Sequence, residues 1–307
     1  MSSVKRKSRF IVRLDKSKYL LLLLLPAFLS VLFFKYIPMW GVTIAFKKYS
    51  PFLGYWGSPW VGLKYFRMFF ESKDAFRIIR NTFLLSFYSL LFGFPAPILL
   101  ALLLNEVRNS RFKKLVQTIT YMPHFISTVV VVSMLFMFLS PSTGIVNRVL
   151  ESLGMEKINF MGSSDWFRPI YVISGIWQGV GWGSIIYLAA ISKVDVQLYD
   201  SAVIDGANKF RQILHITIPC IVPTIISLLI LNMGRILSVG FEKVFLMQSP
   251  IIYETSDVIQ TFVYRQGLQN ANFSYATAIG LFENIIGLVF VVTTNFIAKR
   301  VGETSLW

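Results

Sequence analysis

The segment from residue 192 to residue 213 groups side chains that could bind another protein. Asp195 suits a helix N-cap, and the Asp-Gly dipeptide that ends at Gly206 is a signal that stops a helix. The pattern predicts a short helix, a turn and a second helix. Within the first helix, Asp200 offers a carboxylate to a basic partner group, and Ala202 lets a second backbone approach closely. The chemistry expected here is docking, and a plain surface connector is the alternative.

A second group of side chains combines planar polar groups and aromatic rings inside apolar stretches. Lipid cannot satisfy such polar groups, so they must face a cavity, such as the path of a solute, or another helix. The alternative for the polar groups is hydrogen bonding between helices, and for the tryptophans it is packing or anchoring at the membrane interface. The residues that we expect along such a path are Trp177, Gln178, Trp182, Asn232, Arg235, Glu283 and Asn284.

Catalytic chemistry finds no support in the sequence. It contains no Gly-x-x-x-x-Gly-Lys-Ser/Thr phosphate loop, no His-Glu-x-x-His helix and no credible Ser-His-Asp set. Its two histidines, His124 and His215, lie far apart, and its single cysteine, Cys220, cannot form an internal disulfide. We therefore expect no enzyme activity in this chain, and no metal or cofactor bound by it.

Apolar stretches must position these groups. The chain has 307 residues, of which 55% are hydrophobic and 15% charged, whereas soluble domains have about 25% charged residues. Blocks of about 20 apolar residues are long enough to cross a hydrocarbon core of about 30 Å. We predict an all-α membrane protein with one transmembrane domain over residues 19–300. Its six transmembrane helices are predicted at about 19–39, 82–104, 119–139, 169–191, 214–239 and 276–298.

The distribution of basic residues predicts on which side the ends of the chain lie. The net charge is +15, and lysine and arginine crowd the leader 1–18, the segment 105–118 and the end of the last span. Basic segments stay in the cytoplasm. Both termini, including the tail 301–307, are therefore predicted to be cytoplasmic. Anchoring and orientation at membrane lipid account for this charge, and we expect no nucleic acid partner.

The 192–213 loop and the residues after it resemble a known motif. Permeases of ATP-binding cassette importers carry Glu-Ala-Ala, three residues, Gly, nine residues and then Ile-x-Leu-Pro. The spacing is the same here, with Asp in place of Glu, Ser in place of Ala and Ile in place of Leu. Asp205 and Ala207, on either side of the glycine, extend the likeness to the carbohydrate-importer branch. The motif positions are occupied by Asp200, Ser201, Ala202, Gly206, Ile216, Ile218 and Pro219.

Further stretches are similar to permeases for complex oligosaccharides and polysaccharide fragments, which are found chiefly in Gram-positive bacteria. These stretches are residues 34–39, 94–97, 123–127 and 234–248. The likeness therefore extends over nearly the whole chain.

This resemblance implies a type I importer permease fold with a cytoplasmic coupling helix, in a bacterial cytoplasmic membrane. A second homologous permease would supply the other half of the path, and two ATPase subunits would bind ATP and magnesium. An extracytoplasmic sugar-binding lipoprotein would deliver the oligosaccharide. The helix from Asp200 to Gly206 would dock into a groove of the ATPase, and this chain would alternate between inward-open and outward-open states.

Two alternatives stay open at the level of the sequence. A permease of the same class could carry another solute, such as glycerol phosphate or an amino acid. An ion-coupled carrier would instead show inverted repeats, broken helices and buried carboxylates. Glu283 is the one carboxylate that we place inside a span, and no convincing repeat is present.

Overall fold

The computed structural model describes residues 9–234 and 236–300, with side chains from residue 19 onward. These residues form helices joined by short turns, and no β-strand occurs among them apart from one isolated bridge between Lys47 and Trp60. The α-helices are α1 (Arg9–Val31), α2 (Gly54–Gly57), α3 (Lys64–Phe70), α4 (Lys73–Gly93), α5 (Pro95–Glu106), α6 (Ser110–Tyr121), α7 (Thr128–Phe138), α8 (Ile145–Ser152), α9 (Ser164–Ile191), α10 (Val196–Ile204), α11 (Lys209–Gln212), α12 (Ile218–Met233), α13 (Phe241–Met247), α14 (Tyr253–Ser256), α15 (Ile259–Tyr264) and α16 (Phe273–Arg300).

Short π and 3-10 turns extend several of these helices. They combine with the α-helices into five continuous stretches long and apolar enough to cross a membrane, and a bent pair makes a sixth. The predicted all-α membrane architecture is thus confirmed. The six stretches are Tyr19–Phe46, Lys73–Glu106, Ser110–Phe125 with Thr128–Phe138, Ser164–Ile191, Lys209–Met233 and Phe273–Arg300.

Helix ends differ from several of the predicted span ends, and in the second and fifth spans the structure gives a local reason. The second begins at Lys73, well before residue 82, because the Ser72 hydroxyl accepts a hydrogen bond from the Ala75 amide and caps the helix there. The fifth ends at Met233 and does not continue to residue 239. A Cβ at the following residue, Gly234, would lie 2.7 Å from a Val291 methyl group, so that residue is a point of close contact with α16.

The third predicted span is not one straight helix. Its two halves, Ser110–Phe125 and Thr128–Phe138, meet at an angle of 100°. Ser127 has an extended backbone, and its hydroxyl accepts from the Val130 amide at 3.4 Å, so it starts α7 as a new helix. Average hydropathy over 119–139 does not reveal this bend, because the residues of that range are mostly apolar on both sides of Ser127.

Helix α9 lies at the centre of the described part of the chain. It contacts α4, α5, α6 and α12, which are the helices of the second, third and fifth spans. Gly181 allows the closest of these approaches, since a Cβ there would overlap the Thr120 carbonyl of α6. The second, third and fifth spans are therefore positioned by their packing against the fourth.

The segment that joins the fifth and sixth spans is tied to the second span by buried polar groups. Asp257 is fully buried, and its carboxylate accepts a hydrogen bond from Arg265 Nη2 at 2.6 Å. The Asn81 amide donates to the carbonyls of Asp257 and Glu254 at 3.1 and 2.8 Å. Arg168 of α9 donates in turn to Asn81 Oδ1 at 2.9 Å. This network fixes the connecting segment against α4 and α9.

Candidate functional site

The helix–turn–helix predicted from the loop 192–213 is present. Asp195 is the N-cap of α10, and its carboxylate accepts from the Gln197 amide at 2.9 Å. The helix ends in a Schellman motif, in which the Ala207 amide donates to the Ala202 carbonyl at 2.8 Å. Gly206 has φ +73°, a left-handed conformation that favours glycine. The turn chemistry therefore sets the length of α10.

The second helix of this loop leads directly into the fifth span. The Asn208 side chain caps α11 by accepting from the Arg211 amide at 2.9 Å. Gln212 is buried, and its amide group donates to the Ala207 carbonyl at 3.0 Å. After a π turn, Pro219 lies in the first turn of α12, where a missing N–H costs little. The loop is therefore joined to α12 by continuous helical turns.

Helix α10 presents its apolar side chains outward. None of its residues is buried, and the exposed fraction is 61% for Val203 and 85% for Ile204. Asp200, Ser201 and Asp205 are also exposed. The loop therefore has a surface of mixed apolar and carboxylate side chains, and no element in the described part of the chain covers it. Ile204 belongs to this surface although it is not a position of the sequence motif.

Two side-chain contacts join this loop to the membrane spans. The Tyr199 hydroxyl of α10 lies 2.8 Å from Thr217 Oγ1, at the entry to α12. Lys209 Nζ of α11 lies 3.4 Å from Glu106 Oε2, at the end of the second span. The loop is thus linked to two spans and not to one.

A cavity of about 510 Å³ opens between the second, fourth and fifth spans. Among the described residues of the predicted path, Asn232 is the one that lines it. The other polar lining groups are hydroxyls, and Tyr187 of the fourth span is one of them. Sequence reasoning missed the rest, because a serine or tyrosine in an apolar helix usually bonds to its own helix. They are Ser86, Ser89, Tyr171 and Ser238.

The polar groups of this cavity have capacity for a ligand. The side-chain NH2 group of Asn232 donates to the Leu228 carbonyl at 2.8 Å. This is the only hydrogen bond described for that side chain, and it does not use the side-chain oxygen. Ser89 Oγ is buried with no hydrogen-bond partner in the described residues. Tyr171 donates its hydroxyl proton to the Val239 carbonyl at 2.6 Å. Amide and hydroxyl groups of this kind match the hydroxyls of a sugar.

The predicted residues of α9 fall in different surroundings. Trp182 is half exposed and stacks on His124, with ring centroids 4.6 Å apart and planes 2° from parallel. Gln178 donates to the Ile126 carbonyl at 2.9 Å and so holds the bend of the third span. Trp177 lines a separate apolar groove against α7. The Trp182–His124 pair therefore keeps an exposed ring surface of the kind that stacks on sugars.

The predicted residues of the sixth span lie elsewhere. Glu283 is buried and accepts from Gln260 Nε2 at 3.1 Å, and Asn284 donates to the Gly280 carbonyl at 2.8 Å. Both line a second cavity of about 610 Å³ beside α15 and α16. Arg235 lies outside the described residues. The structure therefore does not bring the six described path residues together.

Residues 93–303 match the family model of the binding-protein-dependent transport system inner membrane component. The chain belongs to this family. It is a permease, the membrane-spanning transport subunit of an ATP-binding cassette system, and the resemblance carried by the loop motif is confirmed.

Relatives of similar length support the same assignment. The permease is 48% identical to Protein LplB of Bacillus subtilis over 294 residues, which cover 96% of this chain and 92% of the relative. It is 47% identical over 302 residues to the polygalacturonan/rhamnogalacturonan transport system permease protein YteP of the same organism, covering 98% and 94%. A chain in a crystal structure of a bacterial alginate transporter, in complex with a periplasmic protein that holds an alginate pentasaccharide, superposes with a TM-score of 0.90. That chain is 45% identical, and the match covers 97% of this permease and 100% of that chain. The predicted type I permease fold is thus confirmed.

Proposed function

We propose that this permease forms half of the path of an ATP-driven oligosaccharide importer in the cytoplasmic membrane of a Gram-positive bacterium. A second homologous permease supplies the other half, two ATPase subunits bind ATP and magnesium, and an extracytoplasmic lipoprotein delivers the sugar. Both termini and α10 then lie in the cytoplasm. The relatives named for polygalacturonan, rhamnogalacturonan and alginate transport support an oligosaccharide as the solute.

The observation that carries this proposal is the exposed surface of α10 between the fourth and fifth spans. The capped ends of α10 hold it as a rigid unit, and its outward apolar residues lack a partner in the described part of the chain. We propose that this surface docks on the ATPase through Asp200, Ser201, Ala202 and the turn at Gly206. Closure of the ATPase pair would then move α12 and the second span together.

We propose the cavity between the second, fourth and fifth spans as the sugar-binding part of the path. Its hydroxyl and amide groups supply hydrogen bonds, and Trp182 with His124 supplies an aromatic face near the bend of the third span. The second cavity, beside Glu283, has mostly apolar walls and is not included in this site.

The test of the coupling assignment is a pair of matched glycine substitutions. Gly206→Val and Gly154→Val both place a side chain at positive φ, +73° and +76°, with no atom within 4 Å of the new Cβ. Both glycines end a helix with the same pair of backbone hydrogen bonds, and each change costs about 1–2 kcal/mol of backbone strain. We expect Gly206→Val to abolish most ATP-dependent sugar uptake and Gly154→Val to retain it.

Equal uptake in the two variants, at equal amounts in the membrane, would contradict the proposed role of α10. Equal loss in both would also contradict it, because backbone strain alone would then account for the defect.

A further inference from the structure

Helix α8 lies in the connection between the third and fourth spans, and its residues divide into three arcs. Ile145, Val149 and the C-cap residue Leu153 are spaced by four, so they cover an arc of about 80°. They are 62%, 52% and 70% exposed. The adjoining arc, which includes Val146 and Leu150, packs against the apolar core.

The third arc of α8 is polar. Arg148 and Glu151 lie there and are exposed, and Glu151 pairs with Lys157 at 3.2 Å. The helix therefore has a protein-facing side, a polar side and an unpartnered apolar flank between them. We call Ile145, Val149 and Leu153 the α8 flank.

A buried asparagine fixes the rotation of α8 about its axis. Asn147 Nδ2 lies 3.0–3.2 Å from the carbonyls of Leu139, Ser140 and Ile158, and Asn147 Oδ1 accepts from the Ile158 amide at 2.8 Å. These bonds join the helix to the end of the third span and to the segment before the fourth. Because Asn147 is 1% exposed, α8 cannot roll its flank inward without breaking them.

The position of α8 places the flank at the boundary of the membrane. The helix follows α7 directly after the turn 139–144, and α9 begins at Ser164. The end of α7 carries exposed apolar side chains, including Met137 and Phe138, and Trp166 is exposed at the start of α9. Exposed tryptophan and apolar residues at the end of a span are typical of the membrane–water interface.

We infer that the α8 flank lies in the interfacial layer of the membrane that the permease spans, where acyl chains cover it. The flank continues the lipid-facing surface of α7, and the charged residues are confined to the arc that faces water, as in interfacial amphipathic helices. The flank has three residues, whereas a stable protein interface uses about 20–30 residues a side. Lipid is therefore the partner that matches the size and composition of the α8 flank. Contact of the flank with lipid would hold the outer ends of the third and fourth spans at one depth in the membrane.

The test measures the depth of probes on α8. In a Cys220→Ser background, Val149→Cys and Glu151→Cys are each labelled with a small environment-sensitive fluorophore. The full permease, with any subunits that purify with it, is placed in phospholipid vesicles. Quenching is measured from doxyl-labelled lipid in the bilayer and, in separate samples, from potassium iodide in the surrounding buffer. Ile145→Cys is a second flank position in case one variant is poorly produced.

We expect doxyl lipid to quench the probe at residue 149 at least about three-fold more strongly than the probe at 151, and iodide to show the opposite order. Similar quenching of both probes by iodide would contradict the inference and place the flank in water. A flank probe that resists both quenchers would also contradict it, and would show that another protein covers the flank.

Discussion

Lys209 Nζ lies 3.4 Å from Glu106 Oε2, so the first residue of α11 is paired with the last residue of α5. The pair joins the loop that holds α10 to the second span, while the chain itself joins the loop to the fifth. Both side chains are partly exposed, at 63% and 28%, so the pair contributes little to stability. Its consequence is mechanical, because two spans that line the same cavity are tied to one loop.

Reversing one charge of this pair is expected to weaken coupling. Glu106→Lys should lower ATP-dependent uptake several-fold, because Lys209 would then be repelled from the end of the second span. The double variant Glu106→Lys with Lys209→Glu should restore most of the uptake, because the pair is re-formed with its charges exchanged. Uptake into membrane vesicles measures both effects. Wild-type uptake in the single variant would show that the ion pair transmits nothing.

Two asparagines can decide which cavity binds the sugar. Asn232 and Asn284 each donate to the carbonyl four residues earlier at 2.8 Å, but they line different cavities. We expect Asn232→Ala to raise the KM for uptake about five-fold, since one hydrogen bond to the sugar is worth about 1 kcal/mol. Asn284→Ala should leave the KM within two-fold of the wild type. The reverse order would move the proposed site to the cavity beside the sixth span.

Removing the carboxylate of Asp257 is expected to be strongly destabilising. Its buried charge is balanced by Arg265 at 2.6 Å, with Arg77 at 3.5 Å, and Asp257→Ala would leave the Arg265 guanidinium without its carboxylate. The expected cost is about 3–5 kcal/mol, seen as a lower melting temperature in detergent. Asp74→Ala removes an exposed partner of Arg77 and is the control, with an expected cost below about 1 kcal/mol. Similar melting temperatures for the two variants would contradict the role assigned to the buried network.

Burial of Lys243 gives the permease a pH-dependent stability. Desolvation lowers the pKa of this lysine from 10.5 to about 8, and its Nζ donates to the Tyr171 carbonyl at 3.0 Å. The unfolded chain therefore holds the proton more readily between pH 8 and 10.5, and this group makes folding more favourable as pH rises through that window. The full effect is about 3 kcal/mol.

Lys243→Met removes this titration. The difference in melting temperature between the variant and the wild type should therefore change steadily from pH 8 to pH 10, in the direction that favours the wild type. Lys48→Met, at an exposed lysine, controls for the loss of one positive charge. A difference that stays constant with pH would show that Lys243 is not buried as described.

Local signals made the loop predictable from the sequence. Asp195 as an N-cap and Gly206 as a helix stop each act within a few residues, so their spacing alone defined α10. The bend of the third span was not predictable in the same way. It depends on Ser127 starting a new helix and on Gln178, distant in sequence, holding the Ile126 carbonyl.

The candidate sugar site shows the same limit. Asn232 stood out as an amide in an apolar span, but Ser86 and Ser89 gave no signal until packing placed them beside the same cavity. The stacking of His124 on Trp182 likewise depends on the 100° bend and on the close approach of α6 to α9 at Gly181. Grouping of side chains across helices is a tertiary property, and helical spacing predicts only which residues of one helix share a face.

In the proposed function, a separate ATPase docked on α10 drives this permease. The most direct measurement is purification of the tagged permease from its native membranes in mild detergent, with mass spectrometry of the subunits that accompany it and transport assays in liposomes. We predict recovery of an ATPase, a second permease and a sugar-binding lipoprotein, with uptake that requires ATP. A permease that purifies alone and transports in liposomes without ATP would contradict the account.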